Sequence, residues 1–298
     1  MGAQILVTGA TGNVGGEVVR LLFAKGAPPI ALVHSADKAA ALEGSCAEVR
    51  VADLRDEAAV REAVRGIDKL FMLTPVTPDQ TEIGKTMVRL AADAGVQRIV
   101  KLSVIGAEQE PGILLGRWHR EMERAVEDSG VPWTFLRPAG FMQMMAGFYA
   151  ATIPAQGMFF MPCGDAPVCK VDTRDVAAVA VGALLDDGWE GQALTPTGPE
   201  ALTYHQLAAL MAEASGRPVT YVDVPEEAAR AGLEQMGVPE PMLTAFMELF
   251  ATEKAGYGGL VTDDVLRVTG KPPRSYADFA RDYAAAWAPA AAGGPASD

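Results

Sequence analysis

An apolar triplet that runs into a glycine turn near the start of the chain, Ile5-Leu6-Val7-Thr8-Gly9-Ala10-Thr11-Gly12-Asn13-Val14-Gly15, constrains the fold more than any other segment. Three apolar residues in succession read as a strand buried on both faces, the habit of parallel strands. The glycines at 9, 12 and 15 permit a tight turn, and Val14, Val18, Leu21 and Leu22 then recur at helical spacing. The segment therefore predicts a strand, a turn and a helix with an anion site at their junction. Turn glycines let the backbone approach a ligand, and the first N–H groups of a helix lack intrahelical partners and carry a partial positive charge. A pyrophosphate suits such a turn, with Gly9, Ala10, Thr11, Gly12, Asn13, Val14 and Gly15 as its contacts.

The strand pattern repeats. Ile30–Val33, Val49–Val51, Leu70–Leu73, Ile99–Leu102 and Trp133–Leu136 are short, mostly apolar runs, separated by segments of helical period that stop at Gly26, Gly95 and Gly130-Val131-Pro132. Strand and helix in alternation predict an α/β fold: a Rossmann-type, doubly wound parallel sheet with helices on both faces. After Gly140 the character changes. Phe141–Phe148 and Gly157–Met161 are rich in Met and aromatics, Asp172–Leu185 reads as a helix, and Val219–Val222 as one more strand. A smaller, partly interleaved C-terminal lobe is expected. On this reading residues 1–140 form the nucleotide-binding core with about 165–195 returning to it, 141–287 are mainly the substrate lobe, and 288–298 are a disordered tail.

Composition removes several classes. Lys and Arg number 25 against 38 Asp and Glu, a net charge of −13, which argues against nucleic acid or an anionic membrane surface as partner. No apolar run approaches the roughly 18 residues of a membrane span. The cysteines (Cys46, Cys163 and Cys169) form no CxxC pair, so neither a disulfide framework nor a metal site is expected. No Ser-His-Asp arrangement or HExxH motif points to hydrolysis. With no basic leader before the first strand, a cytoplasmic monomer or homodimer is expected.

The turn spacing is G-x-x-G-x-x-G rather than the commoner G-x-G-x-x-G. With it, Val51-Ala52-Asp53-Leu54, Lys101-Leu102-Ser103, the run from Ser129 to Arg137-Pro138, and Val171-Asp172-Thr173-Arg174-Asp175 make the chain resemble the atypical short-chain dehydrogenase/reductases. Specifically, it resembles the NmrA-like family, which includes quinone, azo-dye and triphenylmethane reductases. The resemblance implies an NAD(P) cofactor. The second strand ends at His34-Ser35, without the acid that would accept from a ribose 2′-OH and repel a 2′-phosphate, so NADP(H) is favoured over NAD(H). The family commonly places Arg at this strand end and Lys a few residues on. Lys38 fits the second role, Ser35 offers a hydroxyl, and His34 replaces the Arg as a weaker anion partner.

By the same resemblance Asp53 accepts from the adenine amino group with Leu54 packed nearby, although an acid here equally serves as a helix cap. Thr74, Pro75 and Val76, at the end of the fourth strand, are expected to line ribose and pyrophosphate. Pro138, Gly140 and Phe141 are placed by the resemblance at the nicotinamide.

Most short-chain dehydrogenases use a Tyr-x-x-x-Lys pair, with Tyr as proton donor. Aligned on the acid that usually follows, Leu115 falls at the Tyr position and His119 at the Lys position. His119 is then the acid/base candidate, with Glu123 four residues on and able to orient it, and Ser103 is a second polar participant. The equal alternative is that His119 serves only the ribose or local packing. Loss of the Tyr suits strongly electrophilic acceptors, for which placing donor and acceptor together is most of the catalysis. Trp118, Met142, Met145 and Phe148 are candidate substrate contacts, and ordinary core packing or a dimer face is the equal alternative. Tyr149, Tyr204 and Tyr257 are further candidate acids. The reading is an NADPH-dependent reductase of an aromatic, quinone-like or conjugated small molecule. A non-catalytic NADP(H)-binding redox sensor and a non-redox dehydratase or cyclase are the alternatives.

Overall fold

The computed structural model describes residues 2–148 and 152–288. In chain order its elements begin β1 Ile5–Val7, α1 Asn13–Ala24, β2 Ile30–Val33, β3 Glu48–Val51, α2 Glu57–Ala63, β4 Lys69–Met72, α3 Gln80–Asp93, β5 Arg98–Leu102, α4 Leu114–Asp128 and β6 Trp133–Leu136. Then follow β7 Gly140–Phe141, α5 Thr152–Gln156, β8 Met158–Met161, β9 Val168–Val171, α6 Thr173–Leu185, β10 Gln192–Leu194, β11 Ala201–Leu202, α7 Tyr204–Ser215 and β12 Thr220–Asp223. The last four are α8 Glu226–Gln235, α9 Met242–Lys254, α10 Asp264–Thr269 and α11 Tyr276–Asp282. Contacts divide the chain into two compact units. One runs to Ala139 and adds Thr173–Thr197 and Thr262–Pro272; the other comprises Gly140–Asp172, Gly198–Val261 and the chain from Pro273 onward.

The first unit is built on a seven-stranded sheet in the order β10-β6-β5-β4-β1-β2-β3, every neighbouring pair parallel. This is the doubly wound α/β fold expected from the alternating runs. Val7 pairs with Ala31 on one side and Phe71 on the other, so the chain reverses its direction of travel across the sheet between β1 and β4. Ligands of such sheets sit outside the carboxyl ends of the strands at this switch point. All of β1 and β2 is buried, which explains their unbroken apolar character: helices cover both faces and leave no polar side. One face packs Leu6, Leu70, Ile99 and Phe135 against Val60, Val88, Leu90, Met122 and Val126. On the other, α1 lies beside α6, and α6 approaches α10 so closely that a Cβ on Gly182 would fall 2.5 Å from the Val268 side chain. Between β2 and β3 the chain makes two 3₁₀ turns, Ala36–Lys38 and Ala40–Leu42, instead of a helix.

The second unit has a three-stranded sheet, β11-β9-β7, and a parallel pair, β12-β8. Its core gathers Met142, Met145, Phe159, Tyr204, Tyr221, Phe250, Phe279 and Trp287. Along β8, Phe159 and Met161 are buried while Met158 and Phe160 are exposed. Successive strand side chains point to opposite faces, so this Met/Phe run splits between core and surface. Among the described residues no helix is long and apolar enough to cross a membrane. Tyr149 and the tail from residue 289 lie outside the described residues.

Candidate active site

The glycine turn at the end of β1 is as tight as its spacing implies. Gly9 takes a φ of +61°, a left-handed conformation that side chains with a Cβ rarely adopt. A Cβ at Gly15 would lie 2.2 Å from the Gly9 carbonyl oxygen and 2.7 Å from its carbon, so α1 starts pressed against turn backbone. Thr8 secures the turn laterally: its hydroxyl donates to the Leu73 carbonyl at 2.7 Å, and its oxygen accepts the Leu73 N–H at 2.7 Å. That joins the ends of β1 and β4 across the switch point. Helix α1 then opens with no side-chain cap on Gly12 and no acid in its first turn. Its leading N–H groups and dipole are left for an anion. These features fit the pyrophosphate of a dinucleotide, which the glycine turn and α1 would hold.

At the end of β2, His34 and Lys38 are exposed, and Ser35 precedes the 3₁₀ turn without a side-chain cap bond. Asp37 stands in the same turn, a nearby acid the sequence reading did not weigh. Asp53 accepts the Arg55 N–H at 3.0 Å, whereas the cap of α2 is Asp56, whose carboxylate accepts from Ala58 and Ala59. Capping therefore falls to Asp56, and Asp53 keeps a largely exposed carboxylate. Past β4, Thr74 and Pro75 are half-buried and Val76 is exposed. At the start of α3, Gln80 Nε2 and Thr81 Oγ1 are buried without partners. Buried polar atoms are nearly always satisfied, so an amide donor left open at the start of the helix after β4 is a second feature that suits a bound ligand.

Behind this edge lies a buried ionic cluster. Glu123, on α4 and fully buried, is gripped by Arg137, with Nε to Oε1 at 3.0 Å and the terminal nitrogen to Oε2 at 2.8 Å. Ser103 donates to Oε1 at 2.6 Å and Arg120 to Oε2 at 3.2 Å. Burial pushes the Glu123 carboxyl up, but the hydrogen bonds from Arg137 and Ser103 outweigh it and hold the group below the usual range. The four-residue spacing suggested that Glu123 orients His119. The structure corrects this: its carboxylate accepts hydrogen bonds from Ser103 and the two arginines. What meets His119 is Lys101, whose Nζ lies 3.1 Å from Nδ1 and also donates to the Leu102 carbonyl at 3.0 Å. Lys101 comes from β5 and is only 1% exposed. Its ammonium is pushed down to about 7, by burial first, with Glu123 opposing and Arg137 assisting. Burial and then Lys101 hold His119 well below the ordinary histidine value. The Ser103 proton is committed to Glu123, so Ser103 has lone pairs rather than a donor to give a ligand.

Helix α4 places Leu115, His119 and Glu123 four residues apart on one face. Trp118 and His119 are both half-buried, and Pro138 follows β6 in this unit. Gly140 and Phe141 form β7 of the second unit. There Met142 and Met145 are buried in the core and Phe148 stacks on Phe246 at 5.6 Å, so packing claims most of the surface expected to face a substrate. Tyr204 is buried with its hydroxyl donating to Glu253 at 2.7 Å, and Tyr257 is 78% exposed.

The NmrA-like family profile matches residues 1–263. An NAD(P)H azoreductase of Xenophilus azovorans is 42% identical over 284 residues, covering 95% of this chain and 99% of its own. Quinone oxidoreductase 2 of Escherichia coli is 32% identical over 92% of this chain and 96% of its own. The crystal structure of the Escherichia coli NADPH-dependent quinone oxidoreductase with NADPH superposes with a TM-score of 0.84 at 28% identity, covering 94% of this chain and 99% of that one. Triphenylmethane reductase of a Citrobacter species gives 0.84 at 26% identity, with 95% and 99% covered.

Proposed function

This chain belongs to the NmrA-like family, and from that membership we propose that it is an NADPH-dependent reductase of aromatic, quinone-like or conjugated small molecules. It is an oxidoreductase, as its relatives are named. The observation that carries the cofactor is the glycine turn, closed on itself at Gly9 and Gly15, clipped to β4 by Thr8, and open to an anion at α1. NADPH, when bound, supplies a hydride. Thr74 and Pro75 flank its path along the sheet edge, and Gln80 offers a buried donor. Ser35 and Lys38 favour a 2′-phosphate, and Asp37 in the same turn moderates that preference.

On the chemical side, α4 carries Leu115 where a tyrosine acid would stand, and the neutral imidazole of His119 is a poor proton donor. The chain is therefore suited to acceptors that take hydride readily and draw their proton from water, with His119 hydrogen-bonding an oxygen that gains charge. Ser103 acts from behind, holding Glu123 and accepting from the ligand. The test is steady-state oxidation of NADPH and NADH, followed at 340 nm, with a panel of naphthoquinones, azo dyes and simple ketones. NADPH oxidation with quinones or azo dyes and none with ketones supports the reading. Turnover confined to ketones overturns it.

A further inference from the structure

We propose that Lys101 is a positioning residue that fixes His119 in the tautomer carrying its proton on Nε2. Donor counting fixes the arrangement. An ammonium has three donors and no acceptor, so the 3.1 Å contact between Lys101 Nζ and His119 Nδ1 works only if Nδ1 is the acceptor. A second Lys101 proton goes to the Leu102 carbonyl at 3.0 Å. These two bonds leave the ammonium little freedom to turn away, and its burial keeps water from competing. The Nδ1 atom is thereby occupied from inside the protein, and the imidazole proton is directed to Nε2, the atom remote from Lys101. His119 is then a fixed hydrogen-bond donor and not an acid.

Among the described residues, Lys101 is the side chain that meets His119 Nδ1. From α4, Glu123 is bound by Arg137, Arg120 and Ser103, and Arg137, which follows β6, faces the same carboxylate. These two charges act on Lys101 in opposite senses, Glu123 favouring its protonation and Arg137 opposing it. The lysine titrates near pH 7, so the clamp is conditional. Once deprotonated, the amine can accept as well as donate, and Nδ1–H becomes an allowed partner. The imidazole then samples both tautomers. The lysine comes from a strand and the histidine from a helix 18 residues on, so the pair replaces the i, i+4 arrangement on α4 with a contact between elements.

This inference rests on the reading that His119 faces the ligand, and the experiment separates the two. The chain has 3 histidines, His34, His119 and His205, so long-range ¹H–¹⁵N correlation spectra resolve each ring, and His119→Ala assigns its signals. In the cofactor-free wild type at pH 6, His119 is expected as the pure Nε2–H tautomer, drifting to a mixture as pH rises through about 7. Lys101→Met is expected to give the mixture at every pH and to lower kcat with a quinone at pH 6 about twofold, as the share of Nε2–H falls to roughly half, with the NADPH Kd little changed. A wild-type tautomer that is Nδ1–H at pH 6, or one that stays fixed in Lys101→Met, overturns the proposal. The wild-type titration needs no variant to fold. A tautomer that follows Lys101 while His119→Ala leaves turnover intact upholds the clamp and overturns the part given to His119 under the proposed function.

Discussion

Replacing Gly15 by alanine should disable the glycine turn, and the structure sets the size of the effect. The new Cβ would stand 2.2 Å from the Gly9 carbonyl oxygen, about 1.2 Å short of the 3.4 Å where ordinary contact begins, with the Gly9 carbon at 2.7 Å and the Thr8 oxygen at 3.1 Å. All three are backbone atoms of a turn that Thr8 ties to Leu73, so no flexible side chain absorbs the clash. Overpacking of this kind costs about 1–3 kcal/mol, more than the roughly 1 kcal/mol that alanine gains over glycine inside a helix. If the helix start retreats, at least one N–H bond to a phosphate is lost. Such charge-assisted bonds contribute about 1.5–3 kcal/mol, so the NADPH Kd should rise at least about tenfold. Gly16 is the control. Its Cβ would meet only the Ala10 carbonyl oxygen, at 3.5 Å, so Gly16→Ala should bind NADPH within about twofold of wild type and unfold no earlier. The assay is quenching of tryptophan fluorescence by NADPH beside thermal unfolding. Wild-type affinity in Gly15→Ala, or equal damage from both variants, would refute the geometric argument.

Other consequences are as direct. Glu123→Leu leaves Arg137 with only the half-exposed Glu108 at 3.0 Å, and removing one partner of a buried pair costs about 3 kcal/mol. Thermal unfolding should fall by about 6–12 °C, and an unchanged midpoint would contradict the buried cluster. Because the Glu123 carboxyl is held low, its stabilisation is present above the unfolded-state value and lost as pH falls through the folded one; a Glu123→Leu chain whose acid limb matches wild type would refute this. Lys101 gives a slope of the same sign in a higher pH window. Its folded value near 7 lies below the unfolded one, so the unfolded state binds more protons between them and stability should rise with pH from about 7 to about 10. Lys101→Met should flatten that rise in denaturant titrations, and an identical slope would count against it. Lys38→Glu should raise the NADPH Kd about tenfold and leave NADH little changed, and equal loss for both would remove Lys38 from cofactor choice.

Burial on both faces forces a parallel strand to be apolar at every position, which is why Ile5–Val7 and Ile30–Val33 could be located from their letters alone. The glycine turn was legible for a related reason: its spacing reflects contacts within eight residues of chain. Contacts between distant segments left no such trace. Lys101 looked like one more residue of a strand, and nothing in the spacing connected it to His119. The pairing inferred for Glu123 followed helix geometry correctly but missed Arg137, whose guanidinium arrives after β6 and binds the carboxylate at two points. Asp53 reads equally as a helix cap because an acid can precede a helix, and only the fold shows that Asp56 takes that place. The alternation along β8 was equally hidden, since a run of Met and Phe carries no polar residue to mark which face is solvent.

On the proposed function, this chain binds NADPH at the glycine turn and passes its hydride directly to an aromatic acceptor. Turnover with a naphthoquinone, measured with NADPH carrying deuterium in one or the other position at nicotinamide C4, tests it most directly. The account predicts NADP+ that has lost the deuterium of one stereoisomer and retained that of the other. NADPH that binds but is not oxidised by any quinone or azo dye, or NADP+ that retains deuterium equally from both stereoisomers, would contradict it.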